Sequence, residues 1–400
     1  MALAVLVVAT ACAGGGGDSS PSTTAPTTIE ASPATTAPPA TIPGVGGPGD
    51  LPPPPDALEI VYRVERLITG VVDTEQRLVR SPFDVRIETH RVEPDDVDLD
   101  ADPEILDLAV LGGAETGPPD QERLLVVVPP TPALRGAHLG TDIDAATEAG
   151  VLEPLGFGRR VAGRACTEIR TGAALDGGIL RAPTDDDRND VCVDDEGIVL
   201  REEIVQGGQV VERRTAVRVD LAPDLDGEVF EPLGRRIPEL DGGGRVRRVT
   251  PDSRPPDVTH FQLADVPGSL EVVGRFGVLT DSPVGGNVAG SVEQVISMVD
   301  VLAGGGDVLV VENGAAVRGG PVLGPGDIEV PLPWAPEATA VFLATGVEVR
   351  APLPSGRFVR ITSTLPLEQV VAIASALVPV DGPGEVVPAD DEADVTGRLG

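Results

Sequence analysis

Apolar residues recur along this chain with two different periods. Over residues 57–68, Ala57, Ile60, Val61, Val64, Leu67 and Ile68 fall on one face at helical spacing, and Asp56-Ala57-Leu58-Glu59 has the spacing of a capping-box variant. The pattern predicts a first amphipathic helix there. From Val71 to Leu221 short β-rich runs take over: Phe83 to Ile87, Leu124 to Val128, Arg160 to Thr171, Val191 to Val205 and Gln209 to Leu221, separated by Gly, Pro and Asp. Ile143, Ala146 and Ala149 to Leu152 predict one more helix within residues 141–152. Gly207-Gly208, set between Ile204-Val205 and Val210-Val211, has the form of a hairpin turn that needs positive φ, so its flanking strands are expected to pair.

A charged, glycine-rich connection over residues 234–257 separates this region, 56–233, from a second one, 258–380. The second carries strand-like runs at Leu270 to Leu279, Val295 to Leu302, Asp307 to Val311, Thr339 to Arg350 and Arg357 to Thr364. It closes with a helix opened by Pro366, with Leu367, Val370, Val371, Ala374 and Leu377 on one face. Residues 381–400 read as an acidic, disordered tail, and residues 13–55, built mainly from Gly, Ser, Thr, Pro and Ala, as an extended tether too polar to fold. The expected architecture is α+β, in two domains joined by a short linker.

The first residues change the picture. Leu3 to Ala11 form a short, mostly apolar run that ends at Cys12, and Ala9-Thr10-Ala11-Cys12 resembles a bacterial lipobox, in which signal cleavage leaves the cysteine as a lipid-modified N-terminus. Ala9 stands where leucine is usual, and no basic residue precedes the run. The resemblance implies a lipid anchor on Cys12 and a place outside the cytoplasm, on the membrane and facing the envelope exterior. An ordinary cleaved signal, or a buried apolar segment with an incidental cysteine, are the other readings. The run is too short to span a bilayer.

A net charge of -34 argues against nucleic acid and against electrostatic docking on an anionic membrane, so anchoring would fall to the lipid. All 30 basic residues are arginines. The absence of lysine removes a Walker A loop, a Schiff-base enzyme and a Ser-x-x-Lys nucleophile. Aromatic residues make up 2%, with Trp334 and Tyr62 the single members of their kinds, which speaks against stacking platforms.

Candidate chemistry is sparse. Cys166 and Cys192 fall on strands expected to be neighbours in an exported chain, so a disulfide is expected; a redox or metal-binding pair lacks both Cys-x-x-Cys spacing and a basic setting. Asp185, Asp187, Asn189 and Glu196 have the spacing of positions one, three, five and twelve of a calcium loop, but Asp190 replaces the glycine needed at six, which leaves a solvated acidic turn. Asp96, Asp98, Asp100 and Asp102 also read as surface charge. His90, His138 and His260 lie far apart with no catalytic or metal spacing. No catalytic residue, cofactor or metal site is expected.

Four stretches carry a family resemblance. Val161-Ala162-Gly163-Arg164-Ala165-Cys166, followed by Val191-Cys192-Val193-Asp194-Asp195-Glu196-Gly197-Ile198-Val199-Leu200-Arg201-Glu202-Glu203, resembles the later strands of the LolA-like envelope proteins: the lipoprotein carrier LolA, lipoproteins of the LppX type, and the N-terminal domain of the RseB/MucB sigma-factor regulators. Phe261-Gln262-Leu263-Ala264-Asp265-Val266-Pro267-Gly268 and Thr364-Leu365-Pro366-Leu367-Glu368-Gln369-Val370-Val371-Ala372-Ile373-Ala374 resemble the smaller C-terminal domain of RseB/MucB. The resemblance covers roughly residues 57–380 and rests on turn glycines and alternating apolar positions. It implies a curved antiparallel sheet wrapped on helices, a half-barrel whose apolar concavity accommodates acyl chains or a peptide, followed by a smaller α+β domain. The function it implies is a non-catalytic regulatory sensor that binds a hydrophobic or lipid ligand and a segment of a single-span, anti-sigma-type protein. A lipid or lipoprotein carrier, or a structural module without ligand, are the alternatives.

Overall fold

The computed structural model describes Pro55, Leu175 and residues 57–80, 83–110, 113–118, 124–127, 137–172, 178–231, 235–236, 245–250, 252–253, 260–268, 270–283, 291–314, 326–353 and 357–380. All belong to one compact unit, Ile42–Gly400. Cys12, nearly all of the tether and the tail over 381–400 lie outside the described residues.

Twelve strands form the first sheet: β1 Leu58–Arg66, β2 Val71–Val79, β3 Val85–His90, β4 Ile105–Val110, β5 Gly113–Gly117, β6 Leu124–Val127, β7 Leu152–Val161, β8 Arg164–Thr171, β9 Arg188–Val193, β10 Val199–Gln206, β11 Gln209–Asp220 and β12 Arg235–Arg236. Their order is β12-β6-β5-β4-β3-β2-β1-β11-β10-β9-β8-β7. Every pair is antiparallel except β12 with β6. The chain lays down one arm as a meander from β1 to β6, then returns through β7 to β11 so that β11 closes against β1.

The second sheet has eight strands: β13 Arg245–Val249, β15 Glu271–Pro283, β16 Ser291–Gly304, β17 Asp307–Gly314, β18 Ile328–Glu329, β19 Thr339–Leu343, β20 Gly346–Pro352 and β21 Phe358–Ser363, in the order β13-β15-β16-β17-β21-β20-β19-β18. A two-stranded ribbon, β14 His260–Gln262 with β22 Val378–Val380, stands beside it. The span read as a connection, 234–257, thus contributes β12 to one sheet and β13 to the other.

The first predicted helix is a strand. Leu58, Ile60, Tyr62 and Val64 also alternate with period two, and β-branched and aromatic residues between two partner strands, β2 and β11, settle the ambiguity in favour of pairing. The run Arg160 to Thr171 is broken at Ala162-Gly163, both at positive φ, into the hairpin β7–β8. Thr339 to Arg350 likewise splits into β19 and β20. Gly207-Gly208 turn the β10–β11 hairpin with φ of 56° and 74°.

The expected wrapping of the sheet on helices is not found among the described residues, where the fold is mainly antiparallel β. Its two α-helices are short: α1 Ile143–Glu148, inside the predicted 141–152, and α2 Leu367–Ser375. The Asp142 side chain caps α1, and Gly150 at positive φ ends the turn after it. Pro366 stands at the N-cap of α2, which buries Val370 and Ala374, with Leu377 buried just past its end.

One apolar core runs through both sheets. Ile169, Val191, Val193 and Val199 of the first join Leu309, Val311, Val347, Val349 and Ile361 of the second, with Ala146 of α1 and Val370 and Ala374 of α2. Backbone bonds stitch the same junction: Gly140 N to Ala344 O at 2.8 Å, Ala344 N to Gly178 O at 2.7 Å and Leu180 N to Phe342 O at 2.9 Å. A second bond between the sheets is apolar, where Phe83 packs on Phe276, Val299, Val301, Val308 and Val310.

Candidate functional site

Leu58, Ile60, Tyr62 and Val64 point to one face of the first sheet, its inner face. Register places their neighbours: Ile60 stands opposite Arg77, Tyr62 opposite Glu75 and Ala216, Val64 opposite Asp73 and Arg214, and Arg214 in turn opposite Glu202. Arg77, Glu75, Arg214 and Glu202 therefore share the face with Tyr62. All four are buried, Arg77 to 1% and Glu202 to 2% exposure.

These charges form a connected row. Arg77 Nε donates to Glu75 Oε1 at 2.6 Å, the same oxygen lies 3.4 Å from Arg214 Nε, and Arg214 Nη1 donates to Glu202 Oε2 at 2.6 Å. Asn189 of β9 donates its amide to Glu202 Oε1, which also accepts from the Leu175 backbone at 3.2 Å. Glu212, less buried, also pairs with Arg214 at 3.3 Å, so each guanidinium of the row is held by at least one carboxylate. Removing one member would leave an unpaired buried charge, which costs about 3–5 kcal/mol.

Tyr62 sits in the middle, with the Arg77 guanidinium 5.4 Å from its ring centre. Its hydroxyl donates to Val199 O at 2.6 Å, and burial raises its pKa, so it stays protonated and keeps that bond. Toward the other end the face is apolar, with Leu58, Ile60, Val79, Val85, Ile87, Leu200 and Ala216 in one cluster. Val161 of the distant strand β7 joins that cluster, so the sheet curls on itself. The inner face is amphipathic. Both halves are buried within the chain, and the face becomes partly exposed only toward Ile204 and Glu212.

The outer face carries a more exposed ladder. Arg213 bridges Glu203 and Glu65, and Arg63 bridges Glu65 and Glu93. Each such pair is worth about 0–1 kcal/mol and serves mainly to favour the register.

Cys166 on β8 and Cys192 on β9 form a disulfide, with Cα atoms 5.5 Å apart, inside the apolar cluster of the inner face. The calcium-loop positions do not converge: Asn189 is bound to Glu202, Asp187 accepts from the Gly207 backbone, and Glu196 pairs with Arg164. Asp194, Asp195 and Glu196 do cluster at the β9–β10 turn, but the guanidinium of Arg164 holds both Asp194 and Glu196, filling the place a cation would take. His90 lies beside Glu88 on β3, His260 is buried on β14, and His138 is buried with Nε2 3.1 Å from Glu196 O. The three histidines stand on separate elements.

Sequence reasoning missed the buried row. Glu75, Arg77, Glu202 and Arg214 have the composition of a solvated face. The available signal was phase: Asp73, Glu75 and Arg77 keep the alternation of Val79, which is core.

No family model and no curated protein matches the chain. Among solved structures, the MucA/MucB complex of Pseudomonas aeruginosa is similar over 82% of this chain and 94% of that chain, at 13% identity and a TM-score of 0.26. A crystal structure of MucB is similar over 81% and 93%, at 14% identity and a TM-score of 0.26. A structure of PNGF-II is similar over 57% of this chain and 40% of that chain, at 10% identity and a TM-score of 0.27. Among the described residues no helix is long and apolar enough to cross a membrane.

Proposed function

We propose that this chain is a non-catalytic extracytoplasmic regulator that holds an extended segment of a single-span, anti-sigma-type membrane protein against the inner face of its larger sheet. A lipid on Cys12 anchors it to the membrane, residues 13–55 tether it, and the regions 56–233 and 258–380 act together as one body. The partner class rests on the resemblance of the β8–β10 and closing-helix stretches to the RseB/MucB regulators.

The observation that carries the reading is the buried row Arg77–Glu75–Arg214–Glu202. The row itself is covered, so a partner meets its partly exposed end at Ile204 and Glu212, where a polypeptide offers both apolar side chains and main-chain polar groups and an acyl chain offers no hydrogen bond. The second reading, a lipid carrier, would need the contiguous apolar half of the face at Leu58, Ile60, Val79, Val85 and Ile87, which is buried core, to open.

The test is affinity purification of the full-length chain from its own membranes after chemical cross-linking. A single-span protein with cross-links confined to its extracytoplasmic segment is the expected result. Recovery of a lipid removable by organic solvent, with no such protein, would transfer the function to the carrier reading.

A further inference from the structure

We infer that residues 137–141 form an acid-released strap between the two sheets, with His138 as its latch. This concerns regulation and does not rest on which partner the first sheet holds.

The strap is bonded to both sheets. Toward the first, Leu139 N donates to Gly197 O at 2.8 Å, Val199 N donates to Ala137 O at 3.0 Å, and His138 stands opposite Ile198. Toward the second, Gly140 N donates to Ala344 O at 2.8 Å and Thr141 Oγ1 to Gly346 O at 3.4 Å. Ala137 packs in the apolar cluster of the inner face, and Leu139 in the core that both sheets share. The strap thus fastens the turn after β9 to the turn after β19.

His138 is the one ionisable residue in it, and is 1% exposed. Its Nε2 lies 3.1 Å from Glu196 O, a carbonyl that only accepts, so Nε2 carries the proton and Nδ1 the lone pair. Nδ1 is buried with no hydrogen-bond partner among the described residues. Glycines close both sides of the ring. A Cβ at Gly140 would lie 3.2 Å from Nδ1 and 3.2 Å from Thr345 O, and one at Gly197 2.6 Å from Nε2. A second proton on the ring is therefore a buried charge with an unmet donor, and opening the strap relieves it by giving that donor to water.

The charges around it come from one side. The turn after β9 carries Asp194, Asp195 and Glu196, and Arg164 of β8 holds Asp194 and Glu196. Burial raises the pKa of both these carboxylates, so acid discharges them too. The turn after β19, Ala344-Thr345, brings no charge, and Asp142, next along the chain, is engaged in capping α1. On the ring itself burial outweighs the Glu196 carbonyl and lowers the pKa from 6.5 to about 4. Between those values the open strap binds the proton and the closed one does not, so falling pH favours opening. The opening reaches the inner face through Val199, whose N–H the strap holds and whose carbonyl accepts from Tyr62 at 2.6 Å.

Hydrogen exchange of the full-length chain at pH 7 and pH 5, each corrected for intrinsic exchange, tests this. The Leu139, Gly140 and Val199 amides are expected to lose about twentyfold in protection at pH 5, while those of β16 and β17 keep theirs. That factor is the gain in open strap for a ring that titrates at 6.5 when open and about 4 when closed. His138→Gln, which keeps a donor for Glu196 O but does not titrate, is expected to abolish the difference, and Asp194→Asn to retain it. Equal protection at the two pH values, or a loss spread evenly over β16 and β17, would overturn the proposal. So would a loss that persists in His138→Gln, which would assign it to Asp194 and Glu196. If the glutamine variant does not fold, the ring-proton resonance of His138 in the native chain decides. A midpoint well below 6.5 is expected, and a midpoint at 6.5 would overturn the latch.

Discussion

At the scale of single residues, His138 has the most consequential environment. Its ring is enclosed between Gly140 and Gly197, where an added Cβ at Gly197 would lie 2.6 Å from Nε2. Burial lowers its pKa from 6.5 to about 4, although the bond to Glu196 O opposes this. Between those pH values the unfolded chain binds the extra proton. Stability is therefore full above pH 6.5 and falls as pH drops toward 4, by on the order of 3 kcal/mol. Urea unfolding across that window is expected to show the loss in the native chain and a flatter profile in His138→Gln; an unchanged slope would assign it to other groups. The sequence could place His138 away from catalytic spacing, but not in a buried junction, because its neighbours come from residues far along the chain. Ala162 is a similar case: at φ 48° it does work usually left to Gly or Asn, and nothing in Val161-Ala162-Gly163 except the glycine announced a turn.

At the scale of elements, the Cys166–Cys192 bridge ties β8 to β9 across a separation of 26 residues. Closing a loop of that size restricts the unfolded chain by about 3.5 kcal/mol in the chain-entropy model. Cys166→Ser/Cys192→Ser is expected to lose about that much in denaturant unfolding, and reduction of the native chain to shift its midpoint in the same direction. No shift in either would mean that the bridge adds nothing beyond the pairing of the strands. Strands were legible where turn glycines and alternation agreed, as around Gly207-Gly208. The segment 57–68 was misread because its apolar residues satisfy both periods, and only the partners β2 and β11, invisible to local pattern, decide between them. The buried row stayed hidden for the same reason: a charge in a strand is read as solvent-facing until a second layer is known to cover it.

At the scale of the whole molecule, the continuous core makes the two sheets one cooperative body. The chain carries its own probes, since the single tyrosine, Tyr62, lies in the first sheet and the single tryptophan, Trp334, packs on Phe261 beside the second, their ring centres 4.3 Å apart. Tyrosine near-ultraviolet dichroism and tryptophan fluorescence are expected to report coincident unfolding transitions in urea; separated transitions would show that the sheets unfold independently. The account's central claim is that a polypeptide, not an acyl chain, lies at the partly exposed end of the inner face. Ile204 is half-buried on it, opposite Glu212 and Asn189. A benzophenone side chain at Ile204 in the full-length chain, irradiated in its own membranes, captures whichever occupant is there, and Val272, exposed on the second sheet, serves as control. The account predicts an adduct from Ile204, absent from Val272, whose mass resolves into peptides of one membrane protein's extracytoplasmic segment. A lipid adduct at Ile204 would contradict it.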